Sequence, residues 1–313
     1  MDQNCPPGAL SCTEGIIPFG PGRPLMCVND QCGYWCEGRE AQAELRAGRF
    51  DSVIALARQG IALGVKVFNV QFRAPELVDR ERDLVLGAVN ALDQDVGCCL
   101  AIDSQDAVTV DLALGAFGHK AMCNAVTGEP DNLRTMLPII ARHGAAVGTA
   151  LVSEKGVPQT VADRLAVARR IVEAAGSHGI PPADVMIDAV CLPGAVAPGG
   201  MTVTLDTIRA IREELGVPIL LGISNAGYLM PRPRLIDLAY FMAAASWGLD
   251  VAMIDPLTPH LQWLSPAMDF LRGTDEAARG YLGVYRAARR ASQRAGDYEP
   301  EPGPAPAYKQ PEV

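Results

Sequence analysis

The sequence predicts an α/β protein of the (β/α)8 TIM-barrel class, and three observations lead there. Between about residues 24 and 292, short apolar runs rich in β-branched residues alternate with helical patterns, the signature of βα units around a parallel sheet. Eight such runs fit into about 270 residues, which suits a closed barrel better than an open sheet. Several runs also end on one polar residue followed by a turn or helix signal, as in CCLAIDS, KAMCNAVTG, ADVMIDAV and PILLGISNAG.

In chain order, the expected strands are Leu25–Val28, Lys66–Val70, Cys98–Ile102, Lys120–Cys123, Ala146–Leu151, Val185–Ile187, Ile219–Ile223 and Val251–Ile254. The plainest helix lies between the fifth and sixth, where Val161, Leu165, Ala168, Val172 and Ala175 recur at four- and three-residue steps. Thr160, with Asp163 three residues later, has the form of a capping box that uses Asp in place of Glu. Leu205, Ile208, Ile211 and Leu215 mark the next helix, and Gly216 stops it. Residues 1–23 hold four prolines and four glycines with little periodicity, so an irregular extension is expected there. Residues 24–296 then form the barrel domain, with no internal linker. The Pro-rich segment 297–313 is expected to be a disordered tail.

Composition narrows the function. The 313 residues carry a net charge of −9, with 36 acidic against 27 basic side chains, and no basic stripe interleaved with aromatics. That argues against a nucleic-acid partner. The longest apolar stretches are broken by Asp, Pro or Gly within about ten residues, whereas a membrane span needs roughly 20. The first residues, MDQNCPPGALSCTEG, are polar and acidic, unlike a signal peptide, so a cytoplasmic protein without membrane association is expected. Five of the nine cysteines fall in the first 36 residues. Cys27, Cys32 and Cys36 match no zinc spacing, and free thiols in a reducing compartment are the simpler reading, with no metal site. Cys98, Cys99 and Cys123, inside expected strands, read as small buried hydrophobes.

The strand ends carry the chemistry. In a parallel barrel, ligands meet catalytic groups at the C-terminal ends of the strands. Asp103, Asn124, Asp188 and Asn225 occupy such ends. Two carboxylates and two carboxamides suit a flat heterocycle rich in N–H donors and ring nitrogens, and suit neither a phosphate nor a metal. Asp103 stands before Ser-Gln-Asp and could equally serve as a helix N-cap. Asp188 precedes Ala-Val-Cys-Leu-Pro, which starts no helix, so capping explains it poorly. A carboxylate taking two N–H bonds from an aminopyrimidine edge gains orientation as well as energy. Asn124 and Asn225 each precede an alanine, and either alone could be a turn residue bonding its own backbone. His143 and His178 precede glycines at helix ends and suit the helix dipole; His260, after the last strand, is a weaker site candidate. The chain contains no HExxH motif, nucleophile elbow or Walker loop.

From about Phe50 to Asp255 the chain resembles the pterin-binding methyltransferases: the methyltetrahydrofolate:corrinoid protein methyltransferases and the folate domain of cobalamin-dependent methionine synthase. The resemblance is carried by AIDSQ, CNAVTG, KGVPQTVADRLAVARRIVEAA, VMIDAVCLP and GISNAG, most specifically by the run from Lys155 to Pro193. It implies a barrel with an open pterin pocket at its C-terminal face, in a homodimer. Tetrahydrofolate or 5-methyltetrahydrofolate would be the pterin substrate, and a corrinoid (cobalamin) carried by a separate corrinoid protein its methyl partner. Asp103, Asn124 and Asp188 would hold the pterin ring, and Asn225 would lie beside the nitrogen that bears the methyl group. Asn225 and Asp103 are thus the candidate catalytic residues. Partial protonation of that nitrogen turns a very basic leaving group into a good one, a general-acid contribution of roughly 10²–10⁴-fold. The Asn225 amide would favour the protonated form, and the proton would come from solvent or from a carboxylate-bound water.

The family's first strand carries Gly-Glu-Arg-x-Asn, where this chain has LMCVNDQCGYW; its second ends Asp-x-Asn, where Asn69 and Gln71 stand in VFNVQF. The last strand keeps Asp255, and Ser224 sits beside Asn225. Asn69, Gln71, Ser224 and Asp255 complete the expected substrate contacts, together with Arg232 of MPRPRL, which would bind a glutamate tail or cap the next helix. Two alternatives stand beside methyl transfer: a non-catalytic subunit that binds a pterin or a corrinoid protein, and a dihydropteroate synthase-like enzyme. The second needs a basic end on the seventh strand, where this chain has Ser-Asn-Ala.

Overall fold

The computed structural model describes residues 5–72 and 74–295. The tail expected at 297–313 lies outside the described residues. Eight parallel strands close a barrel: β3 (Met26–Asn29), β4 (Val67–Val70), β5 (Cys99–Asp103), β6 (Met122–Thr127), β7 (Ala146–Ala150), β8 (Val185–Asp188), β9 (Ile219–Gly222) and β10 (Val251–Ile254), with β10 bonded back to β3. Every expected strand is present, with ends shifted by a few residues at most. Buried on both faces, such strands are nearly continuous apolar runs, which makes them legible in sequence.

Residues 9–18 differ from expectation. Ala9–Cys12 (β1) and Gly15–Pro18 (β2) pair antiparallel as a hairpin inside the extension expected to be irregular. Leu10, Cys12 and Phe19 pack against Met26, Val67, Cys99, Met122 and Met186 from the barrel interior, so the hairpin closes the N-terminal end. A buried ion pair ties it down: Lys120 Nζ lies 2.8 Å from Asp184 Oδ1 and also donates to the Pro6 carbonyl, while the Gly8 N–H donates to Asp184. The local signal was masked because Pro and Gly dominate the flanks, whereas the apolar face of the hairpin acquires its meaning from the barrel mouth it fills.

The helices form the outer layer. α7 (Val161–Ser177) is capped by Thr160, whose hydroxyl accepts from the Asp163 N–H at 3.1 Å. α8 (Gly200–Glu214) buries Leu205, Ile208 and Ile211, and Gly216 beyond it takes a φ of 63°. His143 and His178 stand at helix C-termini as expected. Asp103 is not an N-cap: the helix after β5, α5 (Ala107–Ala116), is capped by Asp106, whose carboxylate accepts from the Thr109 N–H. That frees Asp103 to belong to the strand. None of the nine cysteines is in a disulfide. Burial pushes the thiols of Cys27, Cys32, Cys98 and Cys191 up to about 12, consistent with packing roles. No helix among the described residues is long and apolar enough to cross a membrane.

Candidate functional site

Strand pleating selects the residues that face the barrel axis. Met26 and Val28, Val67, Cys99 and Ala101, Met122, Ala146, Met186, Leu220, Val251 and Met253 share the barrel interior. Continuing by twos toward the C-terminal ends leads from Val67 to Asn69, from Ala101 to Asp103, from Met122 to Asn124, and from Met186 to Asp188. Apolar layers below and polar atoms above are thus one period-two pattern. Asp103 and Asn124 are register partners on β5 and β6, and Ala150 and Asp188 are partners on β7 and β8. Asn225 follows one turn beyond β9, in a short 3₁₀ helix over Ile223–Asn225.

These groups line a cavity of about 430 Å³ at the C-terminal face, where Asp103, Asn124, Asp188, Asn225 and Gln71 come together. Asn69 lies just beneath, fully buried, its amide donating to Asp103 Oδ2 at 3.3 Å. The Asn124 amide donates to the same oxygen at 3.1 Å and approaches the Met253 sulfur at 3.3 Å. The carboxylate of Asp103 is therefore steered by two carboxamides on the flanking strands. Space for the amides comes from two inward-facing glycines. A Cβ at Gly148 would stand 2.7 Å from Asn124 Oδ1, and one at Gly222 2.7 Å from Asn225 Nδ2.

Asp188 is a strongly perturbed carboxyl. Burial pushes it from 3.8 up to about 7, against the partial relief of the Val190 N–H, which bonds its Oδ1 at 2.7 Å, and of the Arg164 charge. A carboxyl this costly to ionise is favoured as the carboxylate by any group that donates N–H bonds to it.

The remaining expected residues sit elsewhere. Ser224, Asp255 and Arg232 line a neighbouring cavity of about 790 Å³, which shares Tyr34 with the first. Asp255 is engaged there, its Oδ2 2.6 Å from Arg234 Nε and its Oδ1 accepting from the Leu257 N–H; its own N–H donates to Ser224. Arg232 stands at the N-cap of α9 (Pro233–Ser246) with a φ of 54°. His260 caps α10 (Leu261–Leu271) and is not among the residues lining the smaller cavity.

Several lining residues escaped sequence reasoning. Asp30 and Tyr34 come from the segment after β3, the Tyr34 hydroxyl 3.5 Å from Asn225 Oδ1. Glu81 accepts from the Ser104 hydroxyl at 2.6 Å, and Gln105 and Met253 complete the rim and floor. Inward parity would have found Met253; the loop residues leave no periodic signal. Asp30, Glu81, Asp103 and Asp188 all line the cavity, with no lysine or arginine among its described lining residues. Such a wall repels phosphates and favours neutral or cationic N–H donors. Among the described residues no cluster of three or more His, Cys, Asp or Glu is arranged to hold a metal ion.

Residues 40–254 match the pterin binding enzyme family. The chain belongs to this family. Over 216 residues it is 24% identical to the methylcorrinoid:tetrahydrofolate methyltransferase of Eubacterium limosum, covering 68% of this chain and 79% of that protein. It is 29% identical over 171 residues to the methionine synthase of Mycobacterium leprae, spanning 50% of this chain but only 14% of that longer protein. Among solved structures, the dihydropteroate synthase of Xanthomonas albilineans with 4-aminobenzoic acid superposes with a TM-score of 0.64 at 15% identity, covering 86% of this chain and 99% of that one. The Yersinia pestis dihydropteroate synthase gives 0.59 at 16%, covering 87% and 100%. At such identities the structural likeness establishes the barrel fold.

Proposed function

We propose that this pterin binding enzyme is a methyltransferase that moves a methyl group between methyltetrahydrofolate and the cobalt of a corrinoid protein, in either direction. The observation that carries this reading is the convergence of Asp103, Asn124, Asp188 and Asn225 on one cavity without a basic group among its described lining residues. Asp188 accepts the paired N–H donors of the aminopyrimidine edge, and Asp103 and Asn124 bond the neighbouring ring heteroatoms. Asn225 stands beside the nitrogen that carries the methyl group. In the forward direction the N–CH3 bond breaks, the methyl passes without its bonding pair to Co(I), and the nitrogen keeps that pair and takes up a proton. The Asn225 carboxamide bonds the nitrogen more strongly as it becomes protonated, which favours the transition state over the bound substrate. The corrinoid, carried by a separate protein, is the second substrate; the Eubacterium limosum relative supports that assignment. A homodimer is part of the proposal.

A dihydropteroate synthase-like reading is disfavoured. The four acidic side chains of the cavity, and Ser224-Asn225 where a basic strand end is needed, oppose a reaction that handles a pyrophosphate. The non-catalytic alternative is separated by assay. Calorimetric titration with 5-methyltetrahydrofolate and with tetrahydrofolate should show micromolar binding, and adding cob(I)alamin with the former should produce the methylcobalamin absorption spectrum. Binding without methyl transfer to either free cob(I)alamin or a corrinoid protein identifies a binding subunit. No binding of either pterin removes the proposal.

A further inference from the structure

One charged side chain outside the cavity is engaged with the backbone that carries Asp188. Arg164, on the first turns of α7, is only 2% exposed. Its guanidinium donates to the Ala189 carbonyl at 2.8 Å, the Val190 carbonyl at 3.4 Å, the Pro158 carbonyl at 2.9 Å and the Thr204 hydroxyl at 3.2 Å. Thr204, on α8, donates in turn to the Val190 carbonyl at 2.9 Å. Three of these five bonds end on the turn after β8, where Val190 adopts a φ of 63°. The left-handed region is unfavourable for a β-branched residue, costing about 1–3 kcal/mol, and persists only where the surroundings impose it. The product of that conformation is a single bond: the Val190 N–H turns back onto Asp188 Oδ1 at 2.7 Å.

We infer that Arg164 is a positioning residue for ligand recognition: by clamping the carbonyls of Ala189 and Val190 it holds the strained turn that aims the Asp188 carboxyl into the cavity. The inference rests on the pterin reading of that cavity for its ligand but not for its geometry. A fork of guanidinium N–H groups can span several carbonyls at once, which a lysine ammonium does not reproduce. The charge matters as well. Among the described residues, the titratable or charged groups around Asp188 are Arg164, Cys191 on the same turn, Asp237 and Tyr240 on α9, and Asp30, Glu81 and Asp103 on the cavity wall. Of these, Arg164 alone is a cation, and its charge adds to the Val190 N–H bond in favouring the carboxylate over the carboxylic acid.

The test compares wild type with Arg164→Lys and Arg164→Met, each checked for folding by circular dichroism. Tetrahydrofolate affinity is measured by calorimetry across pH, and the Asp188 carboxyl titration is followed by NMR on the ligand-free proteins with ¹³C-labelled aspartate, assigned with Asp188→Asn. In Arg164→Met, affinity should fall by about ten- to a hundredfold, and the pH below which binding is lost should move upward. Arg164→Lys should fall between the two, keeping the charge and losing the fork. A purely structural arginine would lower the melting temperature while leaving both the affinity of the folded protein and the Asp188 titration where they were, and that result overturns the inference. Should Arg164→Met not fold, an unchanged affinity and titration in Arg164→Lys overturns it equally. If wild type binds no pterin, the proposed function fails, and the ligand-free Asp188 titration still decides the role of Arg164: a midpoint that moves upward supports it, and an unmoved one rejects it.

Discussion

Replacing Asp188 with Asn should stabilise the protein at alkaline pH while loosening its hold on a pterin. Burial raises this carboxyl from 3.8 to about 7 in the folded state. The folded chain therefore keeps a proton over a pH range in which the unfolded chain has released it. As pH rises through that window, ionisation works against the fold. At about pH 8 the accumulated penalty is about 2–4 kcal/mol, since each unit of displacement is worth about 1.4 kcal/mol. Asparagine cannot ionise, yet its carbonyl still accepts the Val190 N–H. Urea denaturation at about pH 8 should show the variant more stable than wild type, and the gap should shrink toward zero near about pH 3, where the Asp188 carboxyl is mostly protonated in both the folded and the unfolded chain. A gap that does not change with pH, or a less stable variant at the higher pH, would refute the electrostatic account. Tetrahydrofolate binding should move the other way, weakening by about 1.5–3 kcal/mol as a charged hydrogen bond is lost.

Other expectations are more local. Asn225→Ala should lower the methyl-transfer rate with a smaller effect on pterin affinity; equal losses in single-turnover rate and in Kd would remove its transition-state role. Gly148→Ala places a methyl group 2.7 Å from Asn124 Oδ1, so it should displace that amide and weaken pterin binding about tenfold or more in a calorimetric titration, with the fold retained by circular dichroism. Lys120→Met strands Asp184 without its cation beneath the barrel and should cost about 3–5 kcal/mol in denaturant unfolding at neutral pH, far from the cavity and without changing ligand affinity per folded molecule.

Much of the architecture was legible because parallel barrel strands bury both faces. Residues such as Leu100, Ile102, Val147 and Ile187 had to be apolar on the helix side, while Ala101, Met122 and Met186 had to be apolar toward the axis. Where a polar residue interrupts such a run at its C-terminal end, the cavity at the mouth of the barrel begins, and Asp103, Asn124 and Asp188 stand out in that way. Asn225 was found by the same logic although it stands one turn past its strand. The assignment of Asp103 as pocket or cap could not be made from its neighbours, since Asp106 offers the same chemistry three residues on; the geometry places the cap bond on Asp106.

The chain by itself determined the number and order of the barrel strands, the helix faces and the polar strand ends, because these depend on periodicities of two and of nearly four residues that are local in sequence. Only the tertiary structure decided which of those ends share a space. It sent Asn69 beneath Asp103, placed Ser224, Asp255 and Arg232 in the neighbouring cavity, and brought in Asp30, Tyr34 and Glu81 from irregular segments. It also set the hairpin into the N-terminal mouth and the guanidinium of Arg164 against the turn after Asp188. Those outcomes are contacts between residues distant in sequence, some carried by the backbone conformation of single positions such as Val190. No periodicity records them, and they exist only once the barrel has closed.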